Sequence, residues 1–507
     1  MFLIETAAAA DVFEDHAFYY GDPHVHTGAS GDGGSSDLGT CDGTCGAVAD
    51  LVSIAHLNGL DWMVVLDHVN GGSTESSDDF ERLRDLLLAA NDPDGGFVTV
   101  LGAEVWARDP LLGDLGHRSL FFFGDDLAAV TLVDTQPRFD SAGVECAELD
   151  PWMAGLEERF GNTLLIPHHP SATIPMATNW ECFNAHFEPA VEMYSAHGNA
   201  LWDGTPQDPT VQGSTVEGTV HYAMDPDGLA RRLGFLGGTD THDTLAGGVC
   251  DRDTEKPEHP YAGGLTVVVL DEGARFDRAA IYDAIVGRRT YATTGPRIPV
   301  VIGWESGGAD LGGLGADVGV PEGQGLDVTV QVSEPGAASV TRVDLILPDT
   351  SGIPMTDAGG GRWITTVPTD QIPAWLYAAV AVDGDDFYAA AGCDDGGDTA
   401  DEWLWLSPSF FTRVPGDLDG DGVSYLDGDC DDGDAAVIRC GEDTGVDTGV
   451  DSGGRPDSGA ADDSAPTPPG AGTRCGCTSG TPIDAGGMLI GAAALLRARR
   501  RDRPPRR

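Results

Sequence analysis

Positive charge is scarce in this chain. Its 507 residues contain 28 Lys and Arg against 83 Asp and Glu, for a formal net charge of −55. Nucleic-acid backbones and anionic membranes recruit proteins through basic surfaces, so this composition excludes a nucleic-acid polymer as a partner. Apolar residues make up 41% of the chain, enough to bury sizeable cores. A wholly disordered chain is therefore excluded, and the length predicts two or three domains.

The ten cysteines lack the spacing of a zinc finger, because neither Cys41/Cys45 nor Cys475/Cys477 has a second pair at a suitable distance. We expect disulfides in an oxidising compartment, with structural zinc as the alternative. The N-terminus also lacks the basic segment of a signal peptide. Its alanine run ahead of Asp11 nevertheless resembles the end of one. We expect an exported protein whose signal peptide is truncated in this sequence.

The C-terminal part has no apolar run of the roughly 20 residues that a membrane span needs. Residues 416–440 are rich in aspartate, and the alternating Asp417, Asp419 and Asp421 predict a calcium site, although Gly428 stands where an EF-hand has its closing glutamate. A merely acidic linker is the alternative. Residues 441–473 are of low complexity and predict disorder. Residues 474–507 combine a Cys motif, a short apolar stretch and an Arg cluster, which resembles the sorting signals of bacterial surface proteins and implies attachment to the cell envelope.

Residues 14–297 alternate short apolar runs with amphipathic segments, which is typical of an α/β fold. Helices are predicted at Ser77–Ala90 and Asp277–Arg288. Continuous apolar runs such as MVVL and LTVVVL favour a parallel sheet that is covered on both faces. The predicted strands are Trp62–Leu66, Phe97–Gly102, Ser119–Phe123, Thr163–Ile166, Val191–Tyr194, Phe235–Gly237 and Leu265–Leu270. Residues 298–412 are β-rich, with alternating segments such as LDVTVQVS, and predict a small antiparallel β-sandwich.

Residues that favour transition metals occur where these apolar runs end. His24 and His26 are two positions apart, so both imidazoles point to the same side of a strand. Glu104 ends another apolar run, where a buried carboxylate is costly without a cation. Only one of His168 and His169 is expected to face inward. The whole set of candidate metal ligands is His24, His26, Asp32, His68, Glu104, His168, His169, His197, Asp240 and His242.

Together these motifs resemble the PHP (polymerase and histidinol phosphatase) superfamily, in particular the bacterial branch known as domain of unknown function 3604. The resemblance rests on GDPHVHTGASGDG, GLDWMVVLDH, GAEVW, IPHHP, VEMYSAHGNA and GGTDTHD, and it covers about residues 18–300. It implies a distorted (β/α)7 barrel. It also implies that the residues above bind about three ions of zinc, manganese or iron.

The resemblance implies hydrolysis of phosphate mono- or diesters in a small phosphorylated substrate. Asp67 could assist His68, while Arg289 and Arg297 could clamp the phosphoryl oxygens or could be ion-paired residues at the rim. His117 and His168 are candidate proton donors. One alternative is an amidohydrolase-type enzyme, which also uses an HxH motif and a late aspartate. Another is a non-catalytic, calcium-binding surface adhesion protein.

Overall fold

A computed structural model of the chain describes most of the region between residues 13 and 414. The described residues are 13–28, 48–69, 77–109, 113–136, 146–172, 177–207, 211, 214–242, 246–248, 263–333, 340–384 and 401–414. Asp32 and the tail residues Asp417, Asp419 and Asp421 lie outside them, as do the predicted segments 416–440, 441–473 and 474–507. Within the described residues, no helix combines the length and apolar character needed to cross a membrane.

Six α-helices occur in the described residues: α1 (Val48–Leu57), α2 (Ser77–Ala90), α3 (Leu132–Thr135), α4 (Cys146–Phe160), α5 (Val220–Met224) and α6 (Arg278–Val286). The prediction for α2 is confirmed. The helix has Asp78 and Asp79 in its first turn and buries Phe80, Leu83 and Leu87 on one side. The prediction for α6 is confirmed within one or two residues, and the Asp277 side chain caps the helix by accepting from Ala280 N at 3.0 Å.

The strands of the first part are β1 (His16–Val25), β2 (Trp62–Val65), β3 (Val98–Asp109), β4 (Gly113–Phe122), β5 (Thr163–Pro167), β6 (Ala190–Ser195), β7 (Gly198–Asn199), β8 (Gly234–Gly237), β9 (Leu265–Asp271) and β10 (Thr290–Thr293). Those of the second part are β11 (Val300–Ser306), β12 (Ala309–Gly312), β13 (Asp317–Pro321), β14 (Leu326–Val332), β15 (Val340–Ile346), β16 (Gly352–Pro354), β17 (Thr356–Gly359), β18 (Arg362–Val367), β19 (Trp375–Val382), β20 (Glu402–Leu406) and β21 (Ser409–Val414). All seven predicted strands are present.

The predicted (β/α)7 barrel is wrong. The largest sheet has 13 strands and runs β13-β21-β19-β20-β10-β9-β1-β2-β3-β4-β5, with β15 and β16 branching from β19. Among its described strands before β11, only β1, β2 and β3 are parallel neighbours, whereas β4, β5, β9 and β10 pair antiparallel. Strands β6, β7 and β8 form a separate sheet, so the described strands do not close into a ring. Antiparallel neighbours need no crossover helix, which explains the small number of helices.

The predicted β-rich segment is also not a separate sandwich. Strands β12-β11-β14-β18-β17 form an antiparallel sheet of their own, and β14 alternates buried and more exposed residues as predicted. However, β19 and β20 continue the main sheet through β10. Val267, Val269 and Tyr291 from the first part share a core with this second sheet. The described residues belong to one compact unit that ends at Val414.

Candidate metal centre

Two segments that are far apart in sequence pair at the end of β1. His26 N donates to Thr241 O at 3.0 Å, and Asp240 N donates to His24 O at 2.9 Å. Each segment has the spacing of a strand, so His24 and His26 project to the same side. This short parallel pairing therefore brings the HVH motif and the TDTH motif together.

Two buried carboxylates hold these segments in place. Asp22 accepts from Thr239 N, Thr239 Oγ1, His24 N and Gly247 N at 2.5–3.1 Å. Burial raises the pKa of Asp22 to about 6. Asp67 accepts from Thr27 N at 2.6 Å and from Thr27 Oγ1 at 2.5 Å. The structure thus places Asp67, which the sequence suggested could assist His68, in contact with the loop that follows His26.

Four donor atoms converge in a group that we name site A. The atoms are His24 Nε2, His26 Nε2, Glu104 Oε2 and Asp240 Oδ1. The two imidazole nitrogens are 3.0 Å apart, and each lies 3.3 Å from the Glu104 oxygen. Asp240 Oδ1 is 3.2 Å from His26 Nε2 and 3.5 Å from His24 Nε2. Ligands at about 2.0–2.2 Å from a tetrahedral ion are separated by about 3.3 Å, so these residues fit a transition metal.

Asp240 also reaches a second group of histidines, site B, formed by His168, His169 and His197, whose donor atoms lie within 4.8 Å of one another. Asp240 Oδ2 is 3.3 Å from His168 Nε2 and 3.1 Å from His197 Nε2. His169 Nδ1 is buried and has no hydrogen-bond partner among the described residues. A buried ring nitrogen without a partner is costly, which makes it a ready donor to a cation.

A third group, site C, comprises His26, His68 and His242, again with donor atoms within 4.8 Å. Glu104 is near members of all three groups. Its Oε2 belongs to site A and lies 3.4 Å from His68 Nδ1, and its Oε1 contacts His117 Nδ1. Glu104, His117 and His169 also form a group of potential ligands. Carboxylates that contact several donor groups are suited to bridge metal ions.

The ionisation of these groups favours a cation. Burial opposes ionisation of Glu104, but the imidazoles of His68 and His117 hold its pKa well below the ordinary value. The pKa of Asp240 is likewise lowered against its burial, by His24 and His168. Burial and the neighbouring histidines lower the pKa of His169, so its ring is neutral. Ionised carboxylates and neutral imidazoles are the forms that bind metals.

Two other histidines carry protons in the metal-free protein. Burial opposes the charged form of His24, but the carboxylates of Glu192 and Asp240 outweigh it and raise the pKa well above the ordinary value. Burial also opposes the charged form of His168, but the carboxylates, mainly that of Glu192, outweigh this effect and raise its pKa to about 9. These protons and a metal ion compete for the same negative charge, so metal binding will release protons.

The backbone is strained at two of the ligands. His169 has φ 30° and Asp240 has φ 53°, in the left-handed region that side chains other than glycine rarely adopt. Such strain costs on the order of 1–3 kcal/mol and persists where the surrounding structure enforces it, most often at functional sites. His169 follows the buried strand β5 and Asp240 follows the buried strand β8, each within a few residues, and both side chains belong to the centre.

Of the ten predicted ligands, the structure brings nine together, and Asp32 lies outside the described residues. It does not bring the two predicted arginines to the centre. Arg297 Nη1 donates to Gly59 O at 2.9 Å and lies near Asp61, which directly precedes β2. His68 follows the opposite end of β2. Arg289 directly precedes β10 and lines a cleft of about 710 Å³ together with His16, at the start of β1. An arginine clamp from these two residues is therefore not part of the centre.

Sequence reasoning missed Glu192 and named His117 only as a proton donor. Glu192 is in the middle of β6, where it contacts His24 and His168. Glu192 stands within the apolar run AVEMYS, where burying a carboxylate is as costly as it is for Glu104. This cost could have identified Glu192 from the sequence.

A disulfide joins Cys146, the first residue of α4, to Cys182. The Cys182 carbonyl accepts from Arg118 Nη2 at 3.0 Å, and Arg118 also pairs with the buried Glu188 at 2.8 Å. His117 is the neighbour of Arg118 in β4. The disulfide therefore secures a segment that packs behind the strand carrying His117.

Comparisons with known proteins give a family match and three relatives. Residues 239–312, from the TDTH motif to β12, match the DUF3604 family, a protein family of unknown function. An uncharacterized protein of Chlamydia pneumoniae is 29% identical over 197 residues, which is 35% of this chain and 28% of that protein. An uncharacterized protein of Chlamydia muridarum is 23% identical over 262 residues, 49% of this chain and 37% of that protein.

An uncharacterized protein of Chlamydia trachomatis is 25% identical over 214 residues, 40% of this chain and 30% of that protein. The chain thus spans only about a third of the length of the relatives it matches, from 28% to 37%. No solved structure matches the chain.

Proposed function

We propose that this protein is a metal-dependent hydrolase that cleaves phosphate mono- or diesters of a small substrate. The observation that carries the proposal is the spacing of site A, where four donor atoms from three distant parts of the chain lie 3.0–3.5 Å apart in the pairs given above. Buried imidazoles and carboxylates rarely converge in this way without a ligand, because removing them from water is costly.

The donor chemistry favours zinc, manganese or iron. Eight imidazoles and the carboxylates of Glu104 and Asp240 surround sites A, B and C, and calcium prefers oxygen ligands alone. The eight imidazoles are those of His24, His26, His68, His117, His168, His169, His197 and His242. The described residues therefore favour an enzyme over the alternative of a calcium-binding adhesion protein. The calcium site of the tail stays a separate prediction.

About three metal ions would be held, at sites A, B and C. When bound, such ions polarise a substrate oxygen and lower the pKa of water toward neutrality. The protein's own residues shape access to them. His24 and Glu192 are fully buried, whereas the side chains of His68, His117 and His197 are 18%, 12% and 10% exposed. The substrate would therefore approach from the side of His68, His117 and His197.

The choice of a phosphoester over an amide or lactone rests on the resemblance of the motifs to the PHP superfamily. His117 is partly exposed and contacts Glu104, so it is a candidate either to transfer a proton or to bind a metal. Export is supported by the Cys146–Cys182 disulfide, since disulfides persist in oxidising compartments. Attachment to the cell envelope through residues 474–507 remains a proposal from the sequence.

The test is a substrate panel on protein reconstituted with manganese, zinc or iron. Nitrophenyl phosphate and bis(nitrophenyl) phosphate would be compared with a nitroanilide and a lactone, with metal content measured on the same samples. We expect about three metals per chain and turnover of a phosphoester. Turnover confined to the amide or lactone would favour the amidohydrolase-type alternative. Less than about one metal per chain would contradict the metal centre itself.

A further inference from the structure

The buried carboxylate of Glu192 contacts two of the histidines, His24 and His168, at their Nδ1 atoms. Glu192 lies in β6 with its side chain fully buried. Its Oε2 is 3.0 Å from His24 Nδ1 in a hydrogen bond, and its Oε1 is 3.0 Å from His168 Nδ1. The second contact is an ion pair between two buried side chains. Both oxygens of Glu192 are thus directed at Nδ1 atoms.

These contacts fix which nitrogen of each ring faces the metal centre. His24 Nε2 belongs to site A, 3.0 Å from His26 Nε2. His168 Nε2 lies 3.3 Å from Asp240 Oδ2, toward site B. A carboxylate that accepts the Nδ1 proton leaves the lone pair on Nε2, which is the form that coordinates a metal. Glu192 therefore prepares one ligand of site A and one of site B.

The surrounding backbone is built to admit this carboxylate. A Cβ atom on Gly238 would lie 2.8 Å from His24 Cβ and 3.0 Å from Glu192 Oε1, so only glycine lets the segment after β8 approach so closely. His168 and Glu192 also form a parallel backbone bridge, which sets the two residues side by side. The position of Glu192 is thus defined from both the β5 and the β8 sides.

We infer that Glu192 is a positioning residue that orients His24 and His168 together and so links the metal affinities of sites A and B. The inference rests on the proposed metal centre. It also assigns both members of the tandem histidine pair as ligands: His168 through Nε2, held by Glu192, and His169 through its own ring.

The test measures metal binding and not only turnover. In Glu192→Gln the amide can no longer accept both Nδ1 protons, so affinity for zinc or cobalt, measured by chelator competition, should fall about 10- to 100-fold. The metal content at saturating metal should stay as in the wild type, and the visible absorption of the cobalt-loaded protein should shift because two ligands are reoriented. The Glu192→Asp variant keeps the negative charge but has a shorter side chain, so it should lose less metal affinity than Glu192→Gln. It also provides the test if Glu192→Gln fails to fold.

The matched control is Glu402→Gln, which alters another buried carboxylate. Glu402 is the first residue of β20 and accepts a hydrogen bond from Thr294 Oγ1. Its metal affinity and cobalt spectrum should match the wild type. Three results would overturn the inference: wild-type affinity in both Glu192 variants, an equal loss in Glu402→Gln, or the loss of a whole metal at saturation, which would make Glu192 a direct ligand. A wild-type protein that binds less than about one transition metal would instead refute the proposed function.

Discussion

Asp240 Oδ1 lies 3.2 Å from His26 Nε2, although 214 positions separate the two residues in the sequence. The other oxygen of Asp240 lies 3.1 Å from His197 Nε2. One carboxylate therefore spans sites A and B, and its left-handed backbone conformation, at φ 53°, places it between them. Removing it should affect both sites at once.

The first prediction concerns Asp240→Ala. Because the variant loses a ligand of two sites, hydrolysis should fall by more than the roughly 100-fold expected for a residue behind the ligands. Metal content after reconstitution should fall as well, as measured by elemental analysis. The matched control is Asp317→Ala, which alters an exposed carboxylate paired with Arg288 and Arg232. Wild-type turnover in Asp240→Ala would refute its role as a ligand.

The second prediction separates two roles for His117. Burial lowers the pKa of its imidazole despite the nearby Glu104, so the neutral ring can bind a metal. We expect His117→Ala to lose up to about one metal per chain at saturation. His186→Ala, at an exposed histidine paired with Glu157, is the control. Should His117→Ala keep all its metals and lose activity mainly on substrates with poor leaving groups, His117 is instead the proton donor.

Seven strands and two helices could be located from the sequence, but the pairing of the strands could not. The run LTVVVL of β9 was interpreted as a parallel strand because it is apolar throughout. In the structure, Val268 and Leu270 pack with α6, while Val267 and Val269 pack against the second sheet. An antiparallel strand covered on both faces has the same apolar pattern as a parallel one, so burial alone does not reveal the strand direction.

The centre was more predictable than the fold, because its residues lie where apolar runs end. His24, His68 and Asp240 were all found in this way. Glu192 was missed because it is in the middle of a strand and follows no such end. Of the two roles considered for the arginines, the structure does not favour the phosphoryl clamp, because β10 pairs antiparallel with β9 and Arg289, which precedes β10, lies with His16 near the start of β1.

The third prediction follows from the position of these arginines. If Arg289 or Arg297 held a phosphoryl group in the transition state, its loss would cost on the order of 100-fold in turnover. Since both lie away from sites A, B and C, we expect Arg289→Ala and Arg297→Ala to change kcat/KM by less than about threefold. Steady-state kinetics on the best phosphoester of the panel measures this. A large fall in kcat for either variant would show instead that this arginine binds the phosphoryl group.

The last prediction concerns a buried histidine outside the metal centre. His221 packs against Trp202 and Trp375, and its Nε2 lies 3.1 Å from Tyr377 OH. Burial lowers its pKa to about 3, and the Pro348 carbonyl only partly offsets this effect. In the unfolded chain its pKa is about 6.5.

Because the folded-state pKa is depressed, the stability that neutral His221 contributes is complete above about pH 6.5. It is lost as the pH falls from about 6.5 toward 3, by up to about 1.4 kcal/mol per pH unit, since only the unfolded chain takes up the proton. His221→Gln cannot titrate, so its free energy of unfolding should depend less steeply on pH in this window. The control His186→Gln, at an exposed histidine, should keep the wild-type slope. Denaturant unfolding of metal-free protein between pH 7 and 4 measures both slopes, and parallel curves for His221→Gln and wild type would show that His221 is not kept neutral by the fold.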